Sequence, residues 1–288
     1  MDYKSFIMAV RNLPTPSAVL LRIGSVVQDP NATASDIADI IRLDPAISSK
    51  ILRLANSAYL GISSTITSLQ NAVVLLGNKR IHSLVLASEL LNTLKIKSCP
   101  SFSLERFWIH SVTTAIIAES IARQLRKYEI VDESDMFIDG LLHDIGKLVS
   151  VQLIPDQIEK AFEKSQQTKT PYWKNEDPQL VHTMTGEELA EHWSFPLILR
   201  AVIRNHHEPE KEDQFPLENS IIHISDITAH VIGRSTFDAE IAPEISKFAI
   251  EAVKLTAECF RVIAECAIAN TKKVDSILEM FSSSSKTI

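Results

Sequence analysis

Apolar residues recur at helical spacing along almost the entire chain, and this periodicity is the strongest constraint on its fold. The clearest example is segment 103–127, where apolar residues return every three or four positions. They are Ile109, Val112, Ile116, Ile117, Ile121 and Leu125. The 288 residues include only 7 glycines, and no segment sustains the strict alternation of a β-strand. The pattern therefore predicts an all-α protein.

Start and stop signals divide the first hundred residues into short helices. The stretches Thr33-Ala34-Ser35-Asp36 and Thr67-Ser68-Leu69-Gln70 resemble capping boxes. Asp44-Pro45 combines an N-cap residue with proline at the first helical position, and Gly77 predicts a helix end. One more helix is predicted over about 79–94. These signals predict a multi-helix bundle.

Longer helices are predicted after segment 97–101, which is polar and contains a proline. They cover about 103–127, 134–142, a stretch that begins after residue 144 and reaches about 167, and then 180–193, 196–206, 217–233 and 242–268. Segment 166–179 contains two prolines and predicts an exposed loop, and the serines at 282–285 predict a frayed end. We therefore predict an N-terminal helical lobe over 1–97 and a second helical domain over 98–288 that includes a C-terminal helix and tail.

Composition excludes several classes of protein. The chain is 45% hydrophobic and 23% charged, which is ordinary for a globular protein. It has no apolar run of about 20 residues and no signal-peptide pattern at its start. The three cysteines show no CxxC spacing, as expected of thiols in a reducing compartment. We expect a cytoplasmic protein with no membrane partner.

The net charge makes nucleic acid an unlikely partner. The chain carries 29 Lys and Arg against 36 Asp and Glu, a net charge of −7. The first hundred residues are nevertheless net positive. Their basic residues are predicted to lie on a solvated face rather than on a recognition helix: Arg42, Lys50, Arg53, Lys79 and Arg80.

A histidine and an aspartate stand side by side within Gly140-Leu141-Leu142-His143-Asp144-Ile145-Gly146-Lys147. Adjacent helical side chains point about 100° apart, so this pair can serve one site only near a helix end or at a metal. A neutral imidazole nitrogen and a carboxylate oxygen suit Zn, Fe, Mn or Ni. The simpler alternative is a helix-terminal pair whose polar atoms are satisfied by the backbone.

Five further candidate ligands decide in favour of a metal. They are His110, His182, His206, His207 and Asp226. Together with the His-Asp pair they make seven candidates on five segments, and five converging helices could supply enough nitrogen and oxygen atoms for two ions.

This order of residues resembles the two-metal form of the HD superfamily of metal-dependent phosphohydrolases. More closely, the chain resembles HDOD proteins, the HD-related output domains of bacterial signalling, from about Leu13 to Asp226. The matching N-terminal motifs are Leu13-Pro14-Thr15-Pro16, the stretch DPAISSKILRLANSAY at 44–59, and 66–77. The matching C-terminal motifs are Phe107-Trp108-Ile109-His110-Ser111, 140–147, 182–186, 193–196 and His206-His207. The resemblance implies an HDOD bundle fused to an HD-type helical core.

The resemblance also implies a role for each candidate. The residues that match the ligands of a first divalent ion are His110, His143, Asp144 and Asp226. The residues that match those of a second ion are the bridging Asp144 with His182, His206 and His207. Lys147 matches the lysine that faces a substrate phosphate in active HD enzymes, so Lys147 and Asp144 are the candidate catalytic residues. From the sequence alone, a solvated position for Lys147 is the simpler expectation.

Two departures argue against cyclic-dinucleotide hydrolysis. Enzymes with that activity carry a Gly-Tyr-Pro motif soon after the His-His pair, where this chain has EPEKEDQFP at 208–216. Some of them also place a glutamate one turn before the first histidine, where this chain has Arg106. HDOD proteins as a family are generally regarded as non-catalytic.

The remaining histidines match no ligand pattern, and ordinary structural roles are expected for His82, His192, His223 and His230. His223 precedes Asp226 by three residues, so it shares a helix face with it and could support the site. Trp108 and Trp193 are predicted to lie in the core.

Two functions follow from this combination. The favoured one is a bacterial signal-transduction output protein with an intact HD-type metal site, whose partner is a signalling protein or a nucleotide second messenger. The alternative is an active phosphohydrolase that uses two ions of Fe, Mn, Ni or Zn on a phosphomonoester or phosphodiester. Access to the metal discriminates between them, because catalysis requires an open coordination position. If the N-terminal lobe or the 166–179 segment covers the site, the enzyme hypothesis weakens.

Overall fold

The computed structural model describes residues 2–14, 18–27, 29, 31–56, 66–94, 96–126, 129, 131–270, 274 and 278. Within them the helices are α1 (Tyr3–Arg11), α2 (Ala18–Val27), α3 (Ala34–Ile41), α4 (Pro45–Ala55), α5 (Leu69–Leu76), α6 (Asn78–Thr93), α7 (Leu104–Leu125), α8 (Glu133–Leu142), α9 (Ile145–Leu153), α10 (Pro155–Thr168), α11 (His182–His192), α12 (Leu197–Asn205), α13 (Pro216–Val231), α14 (Lys247–Val253) and α15 (Ala257–Ala269). Short 3-10 turns cover Tyr172–Asn175 and Pro209–Lys211. The described residues form no β-strand, so the predicted all-α fold is confirmed. No described helix is long and apolar enough to cross a membrane.

The chain groups into two compact units. Unit 1 comprises residues 1–13 and 94–269, and unit 2 comprises residues 14–93 and 270–288. All seven candidate ligands belong to unit 1. The predicted division into an N-terminal lobe over 1–97 and a second helical domain over 98–288 stays a prediction.

Most of the predicted N-terminal signals act in unit 2. Thr33 and Asp36 exchange backbone hydrogen bonds in a capping box at α3. Asp44 accepts hydrogen bonds from two backbone N–H groups in the first turn of α4. The second predicted capping box is wrong, because Ser68, rather than the threonine before it, caps α5. Gly77, with a φ of 85°, ends α5 as predicted.

Burial corrects one expectation for the basic residues of unit 2. Lys50 is only 8% exposed, so these side chains do not share one solvated face. In unit 1, Trp108 and Trp193 are buried as predicted. Parts of two matching motifs, Thr15-Pro16 and 57–59, lie outside the described residues, as does the serine tail at 282–285.

Three predictions for the C-terminal half were wrong. The helix expected to reach 167 is interrupted at Ile154, because Pro155 starts a new helix, α10. The helix expected over 242–268 is divided into α14 and α15 by Lys254, which has a φ of 55°. The loop expected over 166–179 is not simply exposed: α10 reaches Thr168, and Tyr172 in the following turn is 1% exposed.

Close helix crossings bring the candidate ligands together. Helix α7 packs on α8 and α13, and α9 packs on α11. A Cβ atom at Gly140 would lie 2.7 Å from the Cα atom of Ala115 on α7. A Cβ atom at Gly146 would lie 1.8 Å from the backbone oxygen of His182 on α11. Both positions therefore require glycine, and the second crossing sets His182 beside the start of α9.

Candidate metal centre

The structure brings all seven predicted ligands into one buried cluster. His110 lies within α7 and Asp226 within α13, both long helices whose apolar faces form the core of unit 1. The other candidates lie at helix ends, where the chain changes direction. They are His143 and Asp144 between α8 and α9, His182 at the start of α11, and His206 and His207 after α12. Their function as metal ligands stays a prediction.

One half of the cluster surrounds His110. Its Nε2 atom lies 3.1 Å from Asp226 Oδ1, 3.3 Å from His143 Nε2 and 3.5 Å from Asp144 Oδ2. His143 Nε2 in turn lies 3.4 Å from Asp144 Oδ2. Two ligand atoms that each lie about 2.1 Å from the same ion are expected to be about 3.0–3.4 Å from each other. The spacing therefore suits a single cation.

The other half of the cluster surrounds the second oxygen of Asp144. Oδ1 lies 3.2 Å from His182 Nε2 and 3.6 Å from His206 Nε2. His207 Nε2 approaches His182 Nε2 at 3.1 Å. Each carboxylate oxygen of Asp144 therefore faces a different half of the cluster, which is the arrangement required of a bridging ligand.

Hydrogen bonds outside the cluster orient the imidazole rings. The Nδ1 atom of His110 lies 2.8 Å from the Arg234 carbonyl oxygen, and that of His143 lies 2.8 Å from the Gly140 carbonyl oxygen. His182 Nδ1 lies 2.6 Å from Glu176 Oε2. A ring that donates its Nδ1 proton outward keeps the Nε2 lone pair for the interior.

The unsatisfied atoms of the cluster fit a cation. Buried polar atoms normally have hydrogen-bond partners, and a missing partner costs about 1–3 kcal/mol. Several cluster atoms lack an aligned partner among the described residues: Asp144 Oδ1, His206 Nε2, His207 Nδ1, and Asp226 Oδ1 and Oδ2. Their residues are almost fully buried. Unpaired nitrogen and oxygen atoms that converge in this way form a donor set for divalent metals.

Charge in the cluster is balanced internally. Burial opposes protonation, yet contacts with Asp144 and Asp226 raise the pKa of His110 to about 10. Burial likewise opposes the charge of His182, whose pKa is raised to about 9 by Glu176 and Asp144. Burial lowers the pKa of His206 to about 3. Metal binding requires neutral imidazoles, so a cation bound by Asp144 and Asp226 would displace the protons that these contacts favour on His110 and His182.

Lys147 is buried rather than solvated, so the simpler expectation from the sequence was wrong. Its residue is 2% exposed, and its Nζ atom donates to Asp144 Oδ2 at 2.6 Å. Burial opposes the ammonium charge, but Asp144 raises the pKa of Lys147 above its ordinary value. The same ion pair, with His143, holds the pKa of Asp144 well below its ordinary value despite burial.

The turn at 172–176 covers the cluster, the alternative considered above for segment 166–179, but its individual contacts were not predicted. Trp173 stacks on His207 with ring centroids 5.0 Å apart and planes 9° apart. Tyr172 lies against His182, at 6.4 Å between centroids, and beside the Lys147 ammonium group. Glu176 accepts hydrogen bonds from both the ring and the backbone of His182. The residues of this turn have no helical spacing that would indicate such contacts.

Two further histidines contact the cluster. His223 donates through Nδ1 to the His206 carbonyl oxygen at 2.7 Å and accepts from the Ser246 N–H group, which agrees with the supporting role considered for it. His230 was assigned no role, but its Nε2 atom lies 3.3 Å from Asp226 Oδ1. Its position one helical turn after Asp226 is a signal that the sequence does contain.

These features define a class of protein: an all-α chain with a buried cluster of histidine and aspartate residues. The family model of the HDOD domain matches residues 13–209, about two thirds of the chain. The chain belongs to the HDOD domain family.

Solved structures share the fold. An HDOD domain protein of unknown function from Geobacter sulfurreducens is 20% identical, with a TM-score of 0.76 over 97% of this chain and 99% of that one. A protein from Marinobacter aquaeolei VT8, provisionally named for signal transduction, is 18% identical, with a TM-score of 0.81 over 94% of this chain and 60% of that one. A provisionally named phosphohydrolase from Shewanella amazonensis SB2B is 20% identical, with a TM-score of 0.73 over 96% and 97%.

A curated relative matches by sequence. It is an uncharacterized protein of Treponema pallidum, 22% identical over 242 residues. The match covers 83% of this chain and 46% of the relative, so the chain spans about half the length of that protein.

Proposed function

We propose that this chain is a bacterial signal-transduction output protein whose HD-type centre holds two divalent ions in a closed, non-catalytic site. The observation that carries the proposal is the enclosure of the cluster. The side chains of its ligands are between 0% and 7% exposed, and the 172–176 turn lies over them. Structural metal sites are closed, whereas catalytic sites keep a position for water or substrate.

The ligand sets of the two ions share Asp144. His110, His143, Asp144 and Asp226 would hold the first, and Asp144, His182, His206 and His207 the second. Two such ions polarise a phosphoryl group and generate hydroxide in an open site. In this enclosed cluster they would instead link the ends of α8, α11 and α12 to α7 and α13, which stabilises unit 1 in one conformation.

The environment of Lys147 also supports a non-catalytic centre. A lysine that binds a substrate phosphate must present its ammonium group to the substrate. Here Nζ is bound to Asp144 at 2.6 Å and lies beneath the Tyr172 ring. A phosphoester would have to displace both contacts before it reached the lysine.

The output of such a module is a binding event. The partner we propose is a signalling protein or a nucleotide second messenger in the cytoplasm. The signalling name of the Marinobacter aquaeolei structure, with its TM-score of 0.81, supports this choice.

Metal analysis tests the centre. Untagged protein, purified without chelators, is expected to contain about two equivalents of Fe, Mn, Ni or Zn by elemental mass spectrometry. A variant with His143→Ala and Asp144→Ala is expected to lose them. Less than about a tenth of an equivalent in the wild type, even after soaking in metal, would contradict the proposal.

The complete ligand set favours one second candidate, an active phosphohydrolase. Metal-loaded wild type is expected to leave p-nitrophenyl phosphate and its bis-ester unhydrolysed. Trp173→Ala, which removes the ring stacked on His207 and so uncovers that side of the centre, is assayed beside the wild type. Metal-dependent turnover by the wild type that is lost in Lys147→Ala would establish the enzyme instead.

A further inference from the structure

His230 faces the candidate metal centre although it belongs to none of the predicted ligand sets. It follows Asp226 by one turn on α13, and its side chain is 3% exposed. Its Nε2 atom lies 3.3 Å from Asp226 Oδ1, and its ring centroid lies 4.9 Å from that of His110. The histidine is therefore directed at the same oxygen as His110.

Asp226 Oδ1 is surrounded by three imidazole nitrogens. The Nε2 atoms of His110, His230 and His143 lie 3.1, 3.3 and 3.8 Å away. By hydrogen-bond geometry, Asp226 Oδ1 nevertheless has no partner among the described residues. Nitrogen atoms that approach one carboxylate oxygen without hydrogen bonds are placed as neighbouring ligands of a cation are placed.

Ordinary structural contacts do not account for the orientation of His230. Its Nδ1 atom is buried and has no hydrogen-bond partner among the described residues. The nearest carboxylate oxygen, Glu240 Oε2, lies 3.9 Å away, beyond hydrogen-bond distance. Glu240 instead accepts from the Phe237 N–H group at 3.2 Å.

The single free lone pair of His110 decides which ion His230 would bind. His110 Nδ1 is engaged with the Arg234 carbonyl oxygen, which leaves Nε2 as one donor for one cation. Ligand atoms of His110, Asp226 and His230 all lie within 4.8 Å of one another. An ion that this trio binds is therefore the ion that His110 already holds.

We propose that His230 is an additional protein ligand of the first ion, beside His110, His143, Asp144 and Asp226. This inference rests on the proposed function, because it requires that the centre bind metal. A fifth protein donor occupies a coordination position that water or a phosphate oxygen would otherwise take. His230 thereby supplies a reason, at the level of the ion itself, for a centre without turnover.

Metal affinity of histidine variants tests the proposal. The protein is loaded with Mn²⁺ or Co²⁺ and titrated with a competing chelator, with bound metal measured by elemental mass spectrometry. His230→Ala is expected to bind one of the two ions about tenfold more weakly or worse. His192→Ala, a half-buried histidine on α11 outside the cluster, is the matched control and is expected to match the wild type.

Chemical rescue separates ligation from packing. Imidazole added to His230→Ala is expected to restore affinity and to change the Co²⁺ absorption spectrum, whereas it leaves His192→Ala unaltered. His230→Gln, which better conserves the side-chain volume, provides a second variant if the alanine protein unfolds. Wild-type affinity in a folded His230 variant, or loss of affinity without imidazole rescue, would overturn the assignment.

The outcomes also distinguish the two proposals. If the wild type binds no metal, the proposed function fails together with this inference. If the wild type binds two ions and folded His230→Ala binds both equally well, only the assignment of His230 fails.

Discussion

At the scale of single residues, Glu176 shows how a side chain outside the candidate ligand set orients a candidate ligand, His182. Its carboxylate accepts from His182 Nδ1 at 2.6 Å and from the His182 backbone N–H group at 3.2 Å. The ring is thereby fixed with Nε2 towards Asp144. Carboxylates that orient metal-bound histidines in this way typically contribute 10–100-fold in metal affinity.

We therefore expect Glu176→Gln to weaken metal binding at the site that contains His182. The amide keeps the size of the side chain but loses the negative charge that stabilises an Nδ1 proton donor. The expected loss is about 10–100-fold, measured by chelator competition. Glu163→Gln, an exposed glutamate on α10, is the matched control. Equal affinities for the two variants would contradict the role assigned to Glu176.

The buried His82, which is not a candidate metal ligand, predicts that the stability of the protein depends on pH. Burial lowers the pKa of this histidine on α6 to about 4, below its ordinary value of 6.5. The unfolded chain therefore takes up a proton at higher pH than the folded chain does. The contribution of neutral His82 to the free energy of unfolding is fully present above about pH 6.5 and is lost as the pH falls towards 4.

Urea unfolding between pH 4 and 7 measures this effect. The decrease in unfolding free energy is expected to be smaller in His82→Gln than in the wild type. His192→Gln provides the same substitution at a half-buried histidine of unit 1. Identical slopes for wild type and His82→Gln would show that His82 does not contribute.

The sequence predicted the convergence of the ligands better than their surroundings. The order of His110, the His-Asp pair, His182, the His-His pair and Asp226 was enough to select residues that the structure places together. Burial of Lys147 was not foreseen, because a lysine after a glycine has no local feature that indicates Tyr172 above it. His230 was overlooked although its four-residue spacing from Asp226 was visible.

At the scale of helices, the crossing of α9 and α11 fixes the position of His182. Gly146 and Gly186 lie at the contact, where a Cβ atom on Gly146 would meet the His182 oxygen at 1.8 Å and the Gly186 nitrogen at 2.7 Å. The obstacles are backbone atoms, which cannot rotate away. The helices must therefore separate to admit even a methyl group.

Gly146→Ala is accordingly expected to destabilise unit 1 by roughly 1–3 kcal/mol and to reduce metal content. Separation of α9 from α11 moves His182 away from Asp144. Gly24→Ala on α2 is the matched control, since the three described atoms nearest to its new Cβ belong to the His82 side chain, the first at 3.0 Å. Thermal unfolding and elemental analysis measure both effects. A Gly146→Ala protein that keeps wild-type stability and metal would refute the argument.

Apolar periodicity predicted where the chain is helical, but it did not reveal the two breaks that separate α9 from α10 and α14 from α15. Pro155 is a visible start signal, but the apolar period continues across it. Lys254 adopts a left-handed conformation that a lysine does not indicate locally, and the Leu255 N–H group bonds to the Ile250 oxygen as α14 ends. Such a termination depends on tertiary packing of the surrounding residues rather than on the residue itself.

At the scale of the whole molecule, the tryptophans report on one unit. The chain has three, Trp108, Trp173 and Trp193, and all belong to unit 1. Trp173 also stacks on a candidate ligand. Tryptophan fluorescence therefore follows the unit that contains the metal centre, while far-ultraviolet circular dichroism follows the helices of both units.

Removal of metal is expected to lower the unfolding temperature detected by fluorescence. Metal at about 100 times its Kd stabilises the folded state by about 2.7 kcal/mol, which corresponds to a shift of roughly 5–10 °C for a unit of this size. The variant with His143→Ala and Asp144→Ala should show no shift with chelator. An unchanged wild-type midpoint after complete metal removal would contradict a stabilising centre.

The discontinuous make-up of unit 1 has a consequence for its synthesis. Helix α1 is translated before segment 14–93, yet it packs on α9 and α11, which are translated after that segment. Helix α13 is the last contributor of ligands. A nascent chain therefore cannot present the full set of candidate ligands until Asp226 has been translated. Under the proposed function, a chain that ends before Asp226 lacks one of the four ligands of the first ion, so its capture with the full ligand set has to follow translation of α13.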